Sequence, residues 1–350
     1  MNHNDINIDL EKQRQSKKLA TSLYKLCFDD NDQFVDFYFN KRYTEQNHFT
    51  VLENNTLVAA LQVIPYKMTF FDAEIDTAYL SAICTHPNFR KQGFMTKLLK
   101  KTYNHLFGNG IYAAFLIPAD LYLFDIYKKN DFKTIFYRTQ KHINTRSFNI
   151  SNRYKIYEYS EENKSSAFEY FTRKMSERKC CIQHSFSDFE TVCEDIYNSG
   201  GTTLIAENAS KIAGISFASP INAGFAIIEH FAETQEVSDT LLKTISERIG
   251  SNDLIYIDIP QKKHCRAFGM MRIICVEKML QLYAKTHSNL IKTIFVKDDV
   301  ITENSGCYTI LNSKCIKFPL ENTRVAWNIA QLTEFVFDGQ TPYMSLMLNE

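Results

Sequence analysis

A charged loop that joins an apolar run to a helical pattern is the feature that most constrains the fold of this chain. The run YLSAIC covers residues 79–84, the loop ends in RKQG at 90–93, and apolar residues then recur at helical spacing as far as Phe107. A strand that passes through a short loop into a helix is typical of domains that combine a sheet with helices. The unit therefore predicts a mixed α and β architecture.

The segments around this unit extend the prediction to a whole domain. Residues 16–40 predict one or two helices, and two apolar runs that meet at Asn54–Asn55 predict a β-hairpin. After residue 107 we expect a buried strand, a short helix that Asp120 can cap, and a further strand. This order indicates an α+β domain that ends near residue 150.

Two further segments follow. Residues 151–285 repeat the element order loosely but lack the glycine loop, and here the pattern predicts a helix at 262–270 followed by a strand at 272–284. Residues 286–350 predict three strands, a helix and a short tail. A segment of roughly 65 residues is marginal for an independent core, so we expect it to lean on the rest of the chain.

Composition excludes several classes of protein. Among 350 residues, Lys+Arg and Asp+Glu each number 40, so nothing favours nucleic acid or an anionic membrane as the main partner. The nine cysteines are scattered without a C-x-x-C pair, which argues against a disulfide scaffold and against structural zinc. The amino terminus is polar, and no apolar stretch approaches the ~20 residues of a membrane span. A reducing, cytoplasmic location is the simplest expectation.

The loop itself suits a phosphate. A helix amino terminus presents unpaired backbone N–H groups and a positive dipole end, and Gly93 lets the backbone approach a ligand closely. Arg90 and Lys91 add positive charge, although such residues are often only solvated. The loop lacks the Gly-Lys-Ser/Thr of a nucleoside-triphosphate P-loop and the G-x-G-x-x-G of a dinucleotide fingerprint.

At this point the residues resemble a known family. ICTHPNFRKQGFMTKLLK, residues 83–100, is similar to the acetyl-CoA loop of the GNAT N-acetyltransferase superfamily, with His86–Pro87, Arg90 and Gly93 at matching positions. Met95 departs from the small residue that is usual in the superfamily. The same bulky departure is familiar in its Eis-like (enhanced intracellular survival) branch.

A second stretch points to the same branch. LIPADLYLFDIYKKNDF, residues 116–132, resembles the Eis-like segment whose tyrosine is the general acid, and Tyr127 matches that tyrosine. The resemblance implies an α+β fold of three parts: a catalytic GNAT domain at 1–150, a degenerate GNAT-like domain at 151–285, and a small sterol-carrier-like domain with the tail at 286–350.

The resemblance also implies a reaction and its residues. An acetyl group would pass from acetyl-CoA, a co-substrate, to a primary amine by direct attack, without a metal. Tyr127 would be the general acid, and the carboxylates of Glu350 would assist deprotonation of the amine. The acetyl-CoA site would comprise Ile83, Cys84, Thr85, Arg90, Lys91, Gln92, Gly93, Phe94, Met95, Thr96, Pro118 and Ala119.

Several alternatives remain open on the sequence. Tyr127 is one of 19 tyrosines, which are often core residues, and chain ends such as Glu350 are often frayed. The chain is also compatible with a tandem-GNAT aminoacyl or acyl transferase, or with a protein that binds acyl-CoA or lipid without catalysis. The acceptor is expected to be a small-molecule or peptide amine of unknown identity, and assembly into a homo-oligomer is left open.

Overall fold

The computed structural model describes residues 3–221, 224–260, 265–319 and 325–348. Its α-helices are α1 (His3–Cys27), α2 (Asp32–Arg42), α3 (Phe94–Gly108), α4 (Leu121–Lys128), α5 (Lys164–Ser176), α6 (Phe186–Asn198), α7 (Gln235–Ile249), α8 (Val276–Thr286) and α9 (Ile329–Phe337). Its strands are β1 (His48–Glu53), β2 (Thr56–Phe70), β3 (Ala73–Thr85), β4 (Ala113–Leu116), β5 (Lys133–Asn144), β6 (Lys155–Glu158), β7 (Ile182–Gln183), β8 (Thr202–Asn208), β9 (Lys211–Ile221), β10 (Gly224–Ala232), β11 (Asp253–Asp258), β12 (Cys265–Ile273), β13 (Lys292–Val296), β14 (Gly306–Leu311) and β15 (Lys314–Phe318). The predicted α+β class is confirmed.

The chain divides into two compact units, and four of the five boundaries between them fall within strands β2, β3, β5 and β12. Unit 1 contains the chain up to Tyr66, then Ile75–Lys133 and Met270–Asp338. Unit 2 contains Lys67–Glu74, Thr134–Gly269 and the segment from Gly339 onward.

The sheet of unit 1 begins with the predicted hairpin. β1 pairs antiparallel with β2, and Asn54 and Asn55 between them have φ angles of 48° and 62°. Two left-handed residues in succession are the signature of a type I′ turn, whose twist matches that of the strands. β3 then runs parallel to β4, which pairs on its other edge with Met270–Ile273 of β12.

Helix α3 covers this sheet with the face that the sequence predicts. Leu98, Leu99, Tyr103 and Leu106 are buried at helical spacing, and they join one core cluster with Leu61 and other residues of the sheet. Met95 is partly buried against the same cluster. The burial fixes the direction of α3 and with it the place of its amino terminus.

The element order of unit 2 repeats part of that of unit 1. Strands β8 and β9 form a hairpin, β9 pairs with β10, and β10 runs parallel to β11 after the intervening helix α7. Leu241, Leu242 and Ile245 of α7 are buried in a cluster with residues of these strands. A strand, a helix and a parallel strand therefore occur in both units.

A second, smaller sheet belongs to unit 1. Strands β13, β14 and β15 are antiparallel in sequence order. The guanidinium of Arg272 on β12 forms a fully buried, two-bond ion pair with Asp298, and the Asn304 amide also donates to that carboxylate. The pairing satisfies charges that would otherwise be costly to bury.

The prediction for residues 262–284 was wrong within the part that the structure describes. Residues 265–273 form β12 rather than a helix, and 276–286 form α8 rather than a strand. Pairing with the buried strand β4 fixes 270–273 as a strand. The apolar residues of α8 recur at Val276, Met279, Leu280 and Tyr283, all buried, which is a helical period that the sequence already contained.

The tail segment of unit 2 is anchored by one buried carboxylate. Glu229 is 3% exposed and receives two hydrogen bonds from Arg178 and one each from the hydroxyls of Tyr343 (2.8 Å) and Ser345 (2.6 Å). The Tyr343 amide also donates to the carbonyl of Cys180 at 3.0 Å. Residues 343–348 are all buried, so this segment is part of the core of unit 2.

The substitution Glu229→Gln should therefore lower the free energy of unfolding by about 3 kcal/mol, because the guanidinium of Arg178 loses its counter-charge in a buried setting. Chemical denaturation measures the change. The matched control is Glu233→Gln, since Glu233 pairs with Arg173 and Lys174 but is 40% exposed, and such pairs contribute less than about 1 kcal/mol. Equal losses in the two variants would contradict the anchoring function of Glu229.

No helix in the described ranges combines the length and apolar character needed to cross a bilayer.

Candidate active site

Strand β3 continues beyond the end of its pairing with β4. Their parallel pairing covers Thr77–Tyr79 against Ala113–Phe115, whereas β3 continues to Thr85. The other edge of β3 remains attached to β2, since the His86 amide donates to the carbonyl of Val58 at 2.8 Å. The region outside the carboxyl ends of adjacent parallel strands is a common place for a ligand in α/β sheets.

Ala82 gives the free end of β3 an unusual backbone. Its φ angle is +52°, a left-handed conformation that a residue with a side chain adopts only at a cost. Such a residue turns the adjacent peptide groups out of the regular ladder direction. Peptide groups around Ala82, in the part of β3 that β4 no longer covers, are thus available to a bound molecule. Ile83 and Thr85 are half-buried there, and Cys84 is buried.

The loop after β3 is held by its own polar groups. The ring of His86 accepts a hydrogen bond from the Asn88 amide (3.3 Å), and Pro87–Phe89 form one 3₁₀ turn. The guanidinium of Arg90 donates to the carbonyl of Thr85 at 3.3 Å, and the Gln92 amide donates to the carbonyl of Asn88 at 3.2 Å. Arg90 therefore ties the loop to the end of β3 while its side chain stays exposed.

Helix α3 begins without a side-chain cap. Gly93 is its N-cap, with φ +84° and ψ 1°, and no side chain accepts from the first turn. Lys91 is also left-handed, with φ +63°. The early N–H groups of Phe94, Met95 and Thr96 have no acceptor within the helix. Because a Cβ built on Gly93 would meet no atom within 4 Å, the space in front of this terminus is open. An anion fits both features.

The helix that occupies the equivalent position in unit 2 differs at this point. Thr234 is the N-cap of α7, and its hydroxyl accepts a hydrogen bond from the Val237 amide at 3.4 Å. One amide of the first turn of α7 is thus bound by the chain itself. In the strand–helix–strand motif of unit 1, by contrast, no side chain caps the start of the helix.

Pro118 and Ala119 lie directly after β4. Pro118 is buried and Ala119 is exposed. Since β3 and β4 are parallel, this segment follows the same edge of the sheet as residues 83–85. Asp120 occupies the N-cap position of α4, but its side chain makes no capping hydrogen bond, so the expectation that it caps this helix was wrong.

Helix α4 directs Tyr127 inward. Tyr127 is the buried residue of this helix, 5% exposed, and its ring meets Phe132 edge-on at 6.0 Å between centroids. Burial raises the pKa of its phenol well above the usual range, and the thiol of Cys84 adds to this effect. Its hydroxyl makes no hydrogen bond to any residue that the structure describes. Tyr127 is thus a protonated donor near the end of β3.

The comparisons with known proteins concern this same region. Residues 13–135 match the family model described as the Acetyltransferase (GNAT) domain. The matched segment contains β3, the loop after it and α3. Each predicted site residue from Ile83 to Tyr127 lies within it, whereas Glu350 lies outside both the match and the described residues.

Solved structures share the fold over most of the chain. The GCN5-related N-acetyltransferase from Anabaena variabilis ATCC 29413 is 14% identical, with 91% of this chain and 87% of that chain covered and a TM-score of 0.72. A probable N-acyltransferase from Enterococcus faecalis V583 is 14% identical, with 92% and 87% covered and a TM-score of 0.72. Eis1 from Mycobacterium abscessus is 11% identical, with 93% and 88% covered and a TM-score of 0.68. None of the curated protein sequences matches this chain.

Two residues of the candidate site were missed by sequence reasoning. The left-handed φ of Ala82 leaves no trace in residue type, so no signal could have revealed it. Cys27, at the end of α1, donates through its thiol to the carbonyl of Thr85 at 3.4 Å. It lies far from the loop in sequence, and only the packing of α1 on β3 brings it there. Among the described residues, no three His, Cys, Asp or Glu side chains are grouped as metal ligands.

Proposed function

We propose that this chain is an N-acetyltransferase that moves an acetyl group from acetyl-CoA to a primary amine. The observation that carries the proposal is the uncapped start of α3 at Gly93, which follows a strand whose carboxyl end extends past its parallel neighbour β4. One feature suits a pyrophosphate and the other suits an extended arm that lies between strands. Their combination in one GNAT domain is what favours acetyl-CoA over a simple anion.

The binding residues follow from these two features. Backbone amides from Lys91 to Thr96 would receive the pyrophosphate, with Arg90 and Lys91 as supporting charge and Gln92 and Phe94 shaping the turn. Peptide groups of Ile83, Cys84 and Thr85 would hold the pantetheine arm from one side, and Pro118 and Ala119 would border it from the other. The bulk of Met95 is compatible with this arrangement because its side chain packs against the core of unit 1.

The reaction we propose is direct attack. The amine nitrogen bonds to the thioester carbonyl carbon, the carbon–sulfur bond breaks, and the sulfur leaves with the electron pair. Tyr127 would donate a hydrogen bond or its proton to that sulfur, which its unengaged hydroxyl supports. Peptide N–H groups near the left-handed Ala82 could stabilise the negative charge that develops on the carbonyl oxygen.

The amine must lose a proton, and we propose the carboxylates of Glu350 for this function on the strength of the resemblance alone. Deleting Glu350 should lower turnover about tenfold or more while leaving acetyl-CoA affinity unchanged. Glu350→Gln, which keeps the α-carboxylate, separates the two carboxyl groups. If the deletion variant turns over at the wild-type rate, Glu350 does not assist the amine.

We also propose assignments for unit 2 and for the small sheet of unit 1. The matching strand–helix–strand order in unit 2 favours a second, degenerate GNAT-like domain, and the small sheet β13–β15 with α8 and α9 is our candidate for the sterol-carrier-like module. These parts would shape the acceptor pocket. We further propose that the enzyme is cytoplasmic and that its acceptor is a small-molecule or peptide amine. Assembly into a homo-oligomer is compatible with this proposal.

A release assay tests the proposal against its rivals. Acetyl-CoA is supplied with a panel of polyamines, aminoglycosides, amino acids and lysine peptides, and free thiol is measured. Thiol release that depends on an amine, with the acetylated amine found by mass spectrometry, is the expected result. Calorimetric binding of acetyl-CoA without any turnover would favour the non-catalytic binding protein, and release only from longer acyl or aminoacyl donors would favour the alternative transferases. No heat with acetyl-CoA would refute the proposal.

A further inference from the structure

Two cysteine side chains meet beneath the loop that follows β3. Cys27 is the last residue of α1, and Cys84 lies near the end of β3 in a buried apolar cluster with Leu23 and Ala60. The side chain of Cys27 packs against this cluster. Both thiols donate to backbone carbonyls, Cys27 to that of Thr85 at 3.4 Å and Cys84 to that of Ala60 at 3.7 Å.

The environments of the two sulfurs are unequal. Cys27 is half-buried, whereas Cys84 is 6% exposed. The neighbouring Cys84 thiol and the adjacent guanidinium of Arg90 lower the pKa of Cys27 to about 7. The interaction with Cys27 and burial raise the pKa of Cys84 well above its usual range. One sulfur is thus accessible and readily ionised, and its neighbour is a shielded thiol.

Arg90 connects this pair to the loop. Its guanidinium and the Cys27 thiol both donate to the carbonyl of Thr85. A thiolate at Cys27 is therefore stabilised by a cation from the loop, and cationic, partly exposed surroundings are those in which cysteine thiols react.

We propose that Cys27 is an oxidation-sensitive thiol and that Cys84 resolves it as an intramolecular disulfide. The Cys27 thiolate attacks one oxygen of hydrogen peroxide, which forms a sulfenic acid and releases hydroxide. The Cys84 sulfur then attacks the Cys27 sulfur, the S–O bond breaks, and the proton of Cys84 leaves with that oxygen as water. The peroxide is reduced by two electrons and the two thiols are oxidised. The inference does not rest on the proposed acetyl transfer.

The bond would alter the loop directly. It joins α1 to β3, removes the thiol hydrogen from the carbonyl of Thr85, and leaves Arg90 as the remaining side-chain donor to that oxygen. Because residues 27 and 84 are far apart in sequence, the crosslink also restricts the unfolded chain. The oxidised protein should unfold at a higher denaturant concentration than the reduced protein.

Peptide mapping tests the proposal. Reduced protein is treated with hydrogen peroxide, remaining thiols are alkylated, and the chain is cut with trypsin. Cys27 is then the one cysteine of peptide 26–41, and Cys84 is the one cysteine of peptide 68–90. We expect these two peptides to be joined, with the loss of two hydrogens, and to separate on treatment with dithiothreitol.

Variants assign the two functions. In Cys84→Ser, Cys27 should stop at the sulfenic acid and be trapped by dimedone, and in Cys27→Ser the oxidation of Cys84 should slow at least about tenfold. Cys265→Ser is the control, because Cys265 is exposed and should be dispensable for the crosslink. If Cys84→Ser fails to fold, peptide mapping of the oxidised wild-type protein still tests the crosslink.

Three results would overturn the proposal. One is recovery of unlinked peptides 26–41 and 68–90 when Cys265 is already oxidised. Another is oxidation of Cys27 to the sulfinic acid without a crosslink. The third is a crosslink between separate molecules, seen as mixed-mass peptide pairs after labelled and unlabelled protein are oxidised together.

Discussion

Replacing Gly93 by glutamate should lower the affinity for acetyl-CoA by about 100-fold or more, equivalent to about 3 kcal/mol. The carboxylate would lie at the start of α3, where the amides of the first turn face open space. It would satisfy those amides itself and repel a pyrophosphate. Calorimetric titration measures the change, and circular dichroism establishes that the variant is folded.

Two alanine substitutions separate charge from backbone conformation. Gly93→Ala adds a Cβ that meets no atom within 4 Å, so its cost is the left-handed φ of +84°, about 1 kcal/mol. We expect its affinity for acetyl-CoA to fall by about tenfold or less. Gly108→Ala, at the other end of α3, has neither a positive φ nor a close neighbour and should bind normally. Unchanged affinity in Gly93→Glu would mean that the pyrophosphate lies elsewhere.

The sequence predicted those elements around the candidate site that depend on neighbouring residues in the chain. An apolar strand, a loop with a glycine and an amphipathic helix fix the start of α3 without long-range information, and the buried face of α3 followed from periodicity. The hairpin at Asn54–Asn55 is of the same kind, because two residues that tolerate positive φ dictate the turn.

Two secondary-structure predictions were wrong, one because strand pairing determined the structure and one because the spacing of apolar residues was misread. β12 is a strand because β4 offers an unpaired edge to Met270–Ile273, and no local pattern reveals that edge. For α8, the spacing of Val276, Met279, Leu280 and Tyr283 was helical and was misread. The first miss was unavoidable from one sequence, and the second was not.

Features that depend on contacts across the fold were beyond the sequence altogether. Three contacts join residues that are distant in the chain: the packing of Cys27 against the cluster of Cys84, the hydrogen bond from Cys27 to Thr85, and the hydrogen bond from Tyr343 to Glu229. The strain at Ala82 is equally hidden, because alanine is not a residue that signals positive φ.

Tyr127→Phe should lower turnover by about 100-fold and leave acetyl-CoA affinity within about twofold of the wild-type value. The hydroxyl has no partner among the described residues, so its loss removes no internal hydrogen bond. Tyr122→Phe is the matched control, because Tyr122 is on the same helix and is 63% exposed. It should retain full turnover.

The raised pKa of Tyr127 decides how this residue would act. A thiol with a pKa of about 8.5 is a much stronger acid than a buried phenol, so complete proton transfer from Tyr127 to the leaving sulfur is uphill. Hydrogen-bond donation that stabilises the departing thiolate avoids that cost, and it places the expected loss of turnover at the lower end of the range for acid catalysis.

Because burial keeps the phenol protonated, Tyr127 should impose no fall in kcat up to a pH of about 10. A decline in kcat below that pH that disappears in Tyr127→Phe would show instead that the phenol ionises in the working range. Turnover of Tyr127→Phe within about threefold of the wild-type rate, with chemistry limiting, would exclude Tyr127 as the donor.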